Sequence, residues 1–160
     1  MLENKPLQKV IHLEDGFSYS DPSFYISVSP GEPETLIRFN VLTKHVMTKS
    51  IPQTHSLLRR RLPAVLKTTC FNDNEKPFSQ EVKNTELGHL FEHILLEYLY
   101  QARVGYYSGP ATIVGWTEWD WIHEDIGSFT IRISCEKPYL SALATSLNKS
   151  IRLYRDIITS

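Results

Sequence analysis

The chain has 160 residues, of which 41% are apolar and 22% charged, and its 17 basic residues against 18 acidic ones leave a net charge of −1. That length predicts a single domain over 1–160, with a core large enough to fold without disulfides or metal. The charge balance excludes a broad basic footprint for nucleic acid and a polybasic membrane patch, and no apolar run nears the ~18 residues of a spanning helix.

The start, Met1 to Lys5, has no apolar signal-peptide core. Two cysteines, Cys70 and Cys135, are too few for a disulfide framework, so a reducing cytoplasm is the expected location.

In chain order, residues 7–13 predict a first strand on Val10, Ile11 and Leu13. Asp15-Gly16 and Ser18 to Ser23 predict turn or loop. Phe24 to Val28 is strand-like, Pro30-Gly31-Glu32-Pro33 breaks it, and Leu36 to Leu42 alternates Ile37, Phe39 and Val41 with Arg38 and Asn40. The pair predicts a hairpin. From Pro52 the period becomes helical, interrupted by Pro63, which predicts two short helices with Pro63 in the first turn of the second. Residues 70–82 predict a loop.

The clearest helix is expected from about Thr85 to Arg103, capped by Asn84 or Thr85, with Glu86 in its first turn and Gly105 at its end. Ala111 to Trp116 and Phe129 to Cys135 predict strands, and Pro138 opens a last amphipathic helix on Leu140, Leu143, Leu147, Ile151 and Tyr154. Strands and helices do not alternate as βαβ. The expected fold is α+β, a mostly antiparallel sheet with helices packed on one face.

The chemistry concentrates in Gly88-His89-Leu90-Phe91-Glu92-His93. Histidines at i and i+4 on a helix lie one turn apart, so their ring nitrogens can converge on one ion. Glu92 is offset from His93 by about 100° and is placed to act on a water without ligating. The order His-x-x-Glu-His is the inverted zincin arrangement, in which imidazoles hold Zn²⁺ and the carboxylate acts as base. Leu87, Phe91, Ile94, Leu95, Tyr98 and Ala102 form the expected core face, and Leu96 beside the histidines suggests that their face is partly covered. The competing reading leaves both histidines as decoration on an exposed face.

A third protein ligand is needed to leave one open position on zinc. Glu97 is about 12 Å of helical rise from His89, better placed to orient His93 than to share its ion. Cys70 and Cys135 are both soft ligands of the right kind, and either is equally a small buried hydrophobe. A second cluster, Trp116 to Asp125, holds three tryptophans and four carboxylates. Trp116, Glu118, Trp119 and Asp120 are its candidate binders of a guanidinium or ammonium group, against hairpin packing with a solvated acidic tip. Arg59-Arg60-Arg61 reads as a solvated helix face.

Leu62-Pro63-Ala64-Val65, then Cys70, then Glu86 to Glu97 and Val104-Gly105-Tyr106 resemble the N-terminal domain of cyanophycin synthetases. The similarity runs well over 62–106 and more loosely through Gly115-x-Thr117, the strand at 129–135 and the final helix. The resemblance implies an α+β domain that engages the arginine–aspartate polymer cyanophycin. In some members it implies a zinc-dependent site that cuts the polymer, with His89, His93 and Cys70 on the metal and Glu92 as base. With Ser160 last, the ATP-grasp and ligase domains of the synthetase are not expected here. The family's basic residues near Gly115-x-Thr117 appear as Trp116 and Glu118, which puts a different substrate in view. Pitrilysin-type peptidases and S-ribosylhomocysteine lyases share the inverted motif but fit the remaining spacing less well.

The sequence therefore predicts a zinc hydrolase of amide bonds in a peptide-like, arginine-containing or cyanophycin-like substrate. A binding module gripping polymer through Trp116 to Asp125 without turnover is the alternative, and a structural metal site is a third. No nucleic-acid or membrane partner is expected, and self-association as a homo-oligomer is compatible with the sequence.

Overall fold

The computed structural model describes residues 16–31, 33–70, 75–104, 113–134 and 140–160. The expected strand at 7–13, the helix stop at Gly105, Cys135 and the helix opening at Pro138 lie outside them.

Five strands form one antiparallel sheet in the order β1-β2-β3-β5-β4: β1 (Phe17–Ser20), β2 (Phe24–Ser29), β3 (Glu34–Val41), β4 (Val114–Glu118) and β5 (Ser128–Ser134). The expected hairpin is β2–β3, in register Phe24↔Val41, Ile26↔Phe39 and Val28↔Ile37. Period-2 alternation puts these six side chains on one face, where they are buried together with Phe129, Ile131 and Ile133 of β5. Ser18 to Ser20, expected as turn, instead belongs to β1. Its serines sit on the exposed side of the strand, while Phe17 and Tyr19 pack against the core.

Helices cover that buried face, as an α+β fold requires. After a 3₁₀ turn at Thr48–Ser50 come α1 (Thr54–Arg61), a second 3₁₀ turn at Pro63–Lys67, α2 (Phe78–Glu81), α3 (Leu87–Val104) and α4 (Leu140–Ile158). Pro63 opens the 3₁₀ segment, where its missing N–H costs nothing. The loop expected at 70–82 is interrupted by α2, whose Phe78 is buried and anchors the turn. Tyr154 of α4 packs edge-on against Phe24, Phe39 and Phe91, tying α4 to both the sheet and α3.

α3 is enclosed more completely than its helical wheel suggests. Leu90 and Leu99 are buried with Leu87, Phe91, Ile94 and Leu95 of the expected core face, whose Tyr98 and Ala102 are only half-buried, and on the histidine side Glu92, His93 and Glu97 are each at most 9% exposed. β4 supplies much of this cover, with Gly115 closely facing Leu96. Among the described residues, no helix is long and apolar enough to cross a membrane.

Candidate metal centre and its cleft

Three segments meet at the N-terminal half of α3. The first is a small hairpin in which Cys70 N–H donates to Lys76 O at 2.9 Å and Phe78 N–H to Thr68 O at 2.8 Å, with Thr69 bridged to Pro77. It delivers Cys70, buried at its end, to the first turn of α3. The second is α3 itself, carrying His89, Glu92 and His93. The third is β4, whose register turns Gly115 and Thr117 toward the face that α3 covers.

Cys70 Sγ lies 3.3 Å from His89 Nε2, and His89 Nε2 lies 3.1 Å from His93 Nε2. All three ligand atoms fall within 4.8 Å of one another. Tetrahedral zinc with ordinary bond lengths would set the N···N edge at about 3.3 Å and the N···S edge at about 3.6 Å. The two observed edges are only slightly shorter, and Cys70 Sγ to His93 lies within 4.8 Å, so the three donor atoms are close enough to share one ion. Cys70 is brought to the pair of imidazoles, while Cys135, the other candidate for the third ligand, lies outside the described residues.

Each imidazole is held by a different device. The His93 ring stacks on Phe78 at 4.0 Å between centroids and 10° between planes. His89 Nδ1 lies 2.8 Å from Thr85 Oγ1. Burial holds both rings below the usual imidazole pKa, and for His93 the neighbouring His89 pushes further, down to about 3. Neutral imidazole is the ligating form.

Glu92 is 4% exposed and accepts a short hydrogen bond from the Thr117 hydroxyl. Burial pushes its carboxyl up to about 7, with the Thr117 hydrogen bond acting in the opposite sense. Glu92 and the three ligands line one cavity of about 560 Å³ that opens between α3 and the segment 113–117 at and just before β4.

The other predicted residues separate into two groups. Glu97, Trp116 and Trp119 line the cavity. The contact made by Glu97 is with Gln101 at 3.1 Å, rather than the expected one with His93. Glu118 pairs with Arg132 across the strands, and Asp120 organises its own turn by accepting from Ile122 N–H and contacting His123 Nδ1 at 2.7 Å. Trp119 and Trp121 pack on Phe129, and the Trp121 indole donates to Ser128 O. Hairpin packing thus accounts for much of the Trp116–Asp125 cluster.

Phe78, Thr85 and Thr117 were not singled out as site residues from sequence. Thr85 stands four residues before His89, the helical spacing that carries the signal, yet it reads equally well as a cap. α3 begins at Leu87, which leaves Glu86 before its first turn. Thr117 appears in sequence only within the Gly115-x-Thr117 resemblance, and the sheet register is what brings it to Glu92.

An α+β domain with a Cys-His-His cluster and a buried carboxylate in one cleft is what the geometry defines. Residues 36–112 match the family model of the cyanophycin synthase-like N-terminal domain, so the similarity read from Leu62 to Tyr106 holds at family level over that segment. The match includes Cys70, His89, Glu92 and His93 and stops before Thr117. No match to the chain was found among curated proteins.

Proposed function

We propose that this chain is a zinc-dependent hydrolase of amide bonds in peptide-like substrates. The observation that carries the reading is the convergence of Cys70 Sγ, His89 Nε2 and His93 Nε2 within 4.8 Å, in the same cavity as Glu92. Cys70, His89 and His93 would hold the ion, which when bound supplies a Lewis acid for the scissile carbonyl. With one oxygen of Glu92 engaged by Thr117, the other takes a proton from water and returns it to the departing amine nitrogen.

Two features support a peptide-like substrate. β4 ends the sheet among the described residues, and Ile113 to Thr117 line the cleft, so an extended chain has backbone groups to pair with. The cavity is also lined by Glu81, Glu86, Glu92 and Glu97 beside Trp116 and Trp119, with no Lys or Arg among the described lining residues. Carboxylates and aromatic faces favour guanidinium or ammonium side chains and leave substrate carboxylates without a counter-charge. A cationic peptide therefore suits this cleft better than a polymer that carries a carboxylate beside each arginine.

Zinc stoichiometry measured alongside cleavage of arginine-rich peptides and of cyanophycin tests the reading. Stoichiometric zinc with shortening of substrate is the expected result. Protein that takes up no zinc even when it is supplied ends the reading. Zinc-loaded protein that binds polymer without ever shortening it points instead to a binding module.

A further inference from the structure

The Thr85 hydroxyl stands between His89 and Glu86. Thr85 is 2% exposed, and its Oγ1 lies 2.8 Å from His89 Nδ1 and 3.3 Å from Glu86 Oε2. A hydroxyl has one proton to give, and a carboxylate only accepts. With Thr85 donating to Glu86, its oxygen must accept from His89, which places the ring proton on Nδ1. The bare lone pair is then on Nε2, the atom that faces His93 Nε2 and Cys70 Sγ.

Thr85 is itself fixed from a distant part of the chain. Thr48 N–H donates to Thr85 O at 2.8 Å, and Thr85 N–H donates to Thr48 Oγ1 at 2.8 Å. Met47 bridges Glu86, and Leu87 N–H donates to Val46 O at 2.9 Å. Residues 46–48 thus run beside 85–87 and lock the approach to α3, with Thr48 only 2% exposed.

We propose that Thr85, clamped by Thr48 and oriented onto Glu86, is a positioning residue that sets the His89 tautomer and thereby presents Nε2 as a ligand. This rests on the reading of Cys70, His89 and His93 as metal ligands. Outer partners of a ligating histidine typically contribute about 10–100-fold in metal affinity. Thr85→Val keeps the shape and removes the hydroxyl, whereas Thr85→Ser keeps the hydroxyl.

Two measurements on the full chain test the proposal. In the metal-free protein at pH 8, ¹⁵N shifts should show His89 protonated at Nδ1 in wild type and Thr85→Ser, and shifted toward the Nε2 tautomer in Thr85→Val. Zinc affinity, measured against a competing chelator, should fall about 10–100-fold in Thr85→Val and stay within about threefold in Thr85→Ser. An unchanged tautomer and affinity in a folded Thr85→Val overturns the proposal alone. Wild type with the Nδ1 tautomer but no zinc uptake overturns the metal reading instead, and an Nε2 tautomer in wild type overturns the clamp directly.

Discussion

The Thr117 hydroxyl on β4 donates to the Glu92 carboxylate on α3, joining that strand to the helix that carries both histidines. The bond fixes which way the carboxylate presents its second oxygen. Thr117→Val should lower kcat about tenfold or more while zinc content stays stoichiometric, and Thr117→Ser should recover most of the loss. Steady-state kinetics with metal analysis on both variants checks this, and equal loss in both would argue that β4 packing, rather than the hydroxyl, matters.

Glu92→Gln should keep its metal and lose about 10²-fold or more in hydrolysis, the usual worth of a general base. Metal-free stability should move the other way. A carboxyl raised by burial from 4.5 to about 7 costs the folded state increasingly as pH rises across that window. The full cost, on the order of 3 kcal/mol for such a shift, is present above it. Denaturant melts of the metal-free proteins at pH 8 should therefore find the Gln variant more stable, with the difference shrinking toward pH 4.5.

Gly88→Ala should destabilise the protein by about 1–3 kcal/mol, although alanine is the better helix former. A Cβ at Gly88 would overlap the ring of Phe129, which is itself 2% exposed and cannot swing away. Gly115→Ala meets Ile133 Cδ1 at 2.9 Å and Leu96 at 3.1 Å, so it should cost stability as well and loosen β4 from α3. Thermal melts read both, and an unchanged or raised Tm in Gly88→Ala would show that Phe129 has room to move.

Tyr154 should make stability fall at alkaline pH. Its hydroxyl is buried without a hydrogen-bond partner among the described residues, and burial with the nearby Asp21 carboxylate raises its pKa above the ordinary 10.0. Above pH 10 the unfolded chain releases a proton that the folded state retains. The contribution is therefore intact below that pH and lost as pH rises beyond it. Tyr154→Phe should gain about 1 kcal/mol at neutral pH and lose less of its stability between pH 9 and 11, as measured by denaturant melts.

Peptides that differ only in charge test the cleft's lining. An arginine-rich peptide should be bound and cut at least about tenfold better than the same peptide with a carboxylate beside each arginine, a difference of about 1.4 kcal/mol. Raising salt should narrow the gap. Equal handling of the two would remove the role assigned to Glu86 and Glu97.

How far the sequence could be read follows from the range of the interactions involved. Alternation in β3 and β5, the Pro63 break and the His89/His93 spacing are local patterns, and the structure keeps all of them. Cys70 and Cys135 are equal on chemistry alone, and the approach of Cys70 to the imidazoles is a tertiary contact that leaves no local signal. The Ser18 to Ser20 segment reads as a turn because a strand with one wet side looks like one when its serines are counted. Glu118 and Asp120 look like ligands in sequence, but cross-strand pairing and turn formation engage them locally.

The hairpin that brings Cys70 to His89 joins residues 19 positions apart, and an ion held between them would cross-link the chain. Only the folded chain assembles that cross-link. Each tenfold rise in free zinc above the dissociation constant should then add about 1.4 kcal/mol to the resistance to unfolding. On that reading, the melting temperature would report the zinc supply without any substrate.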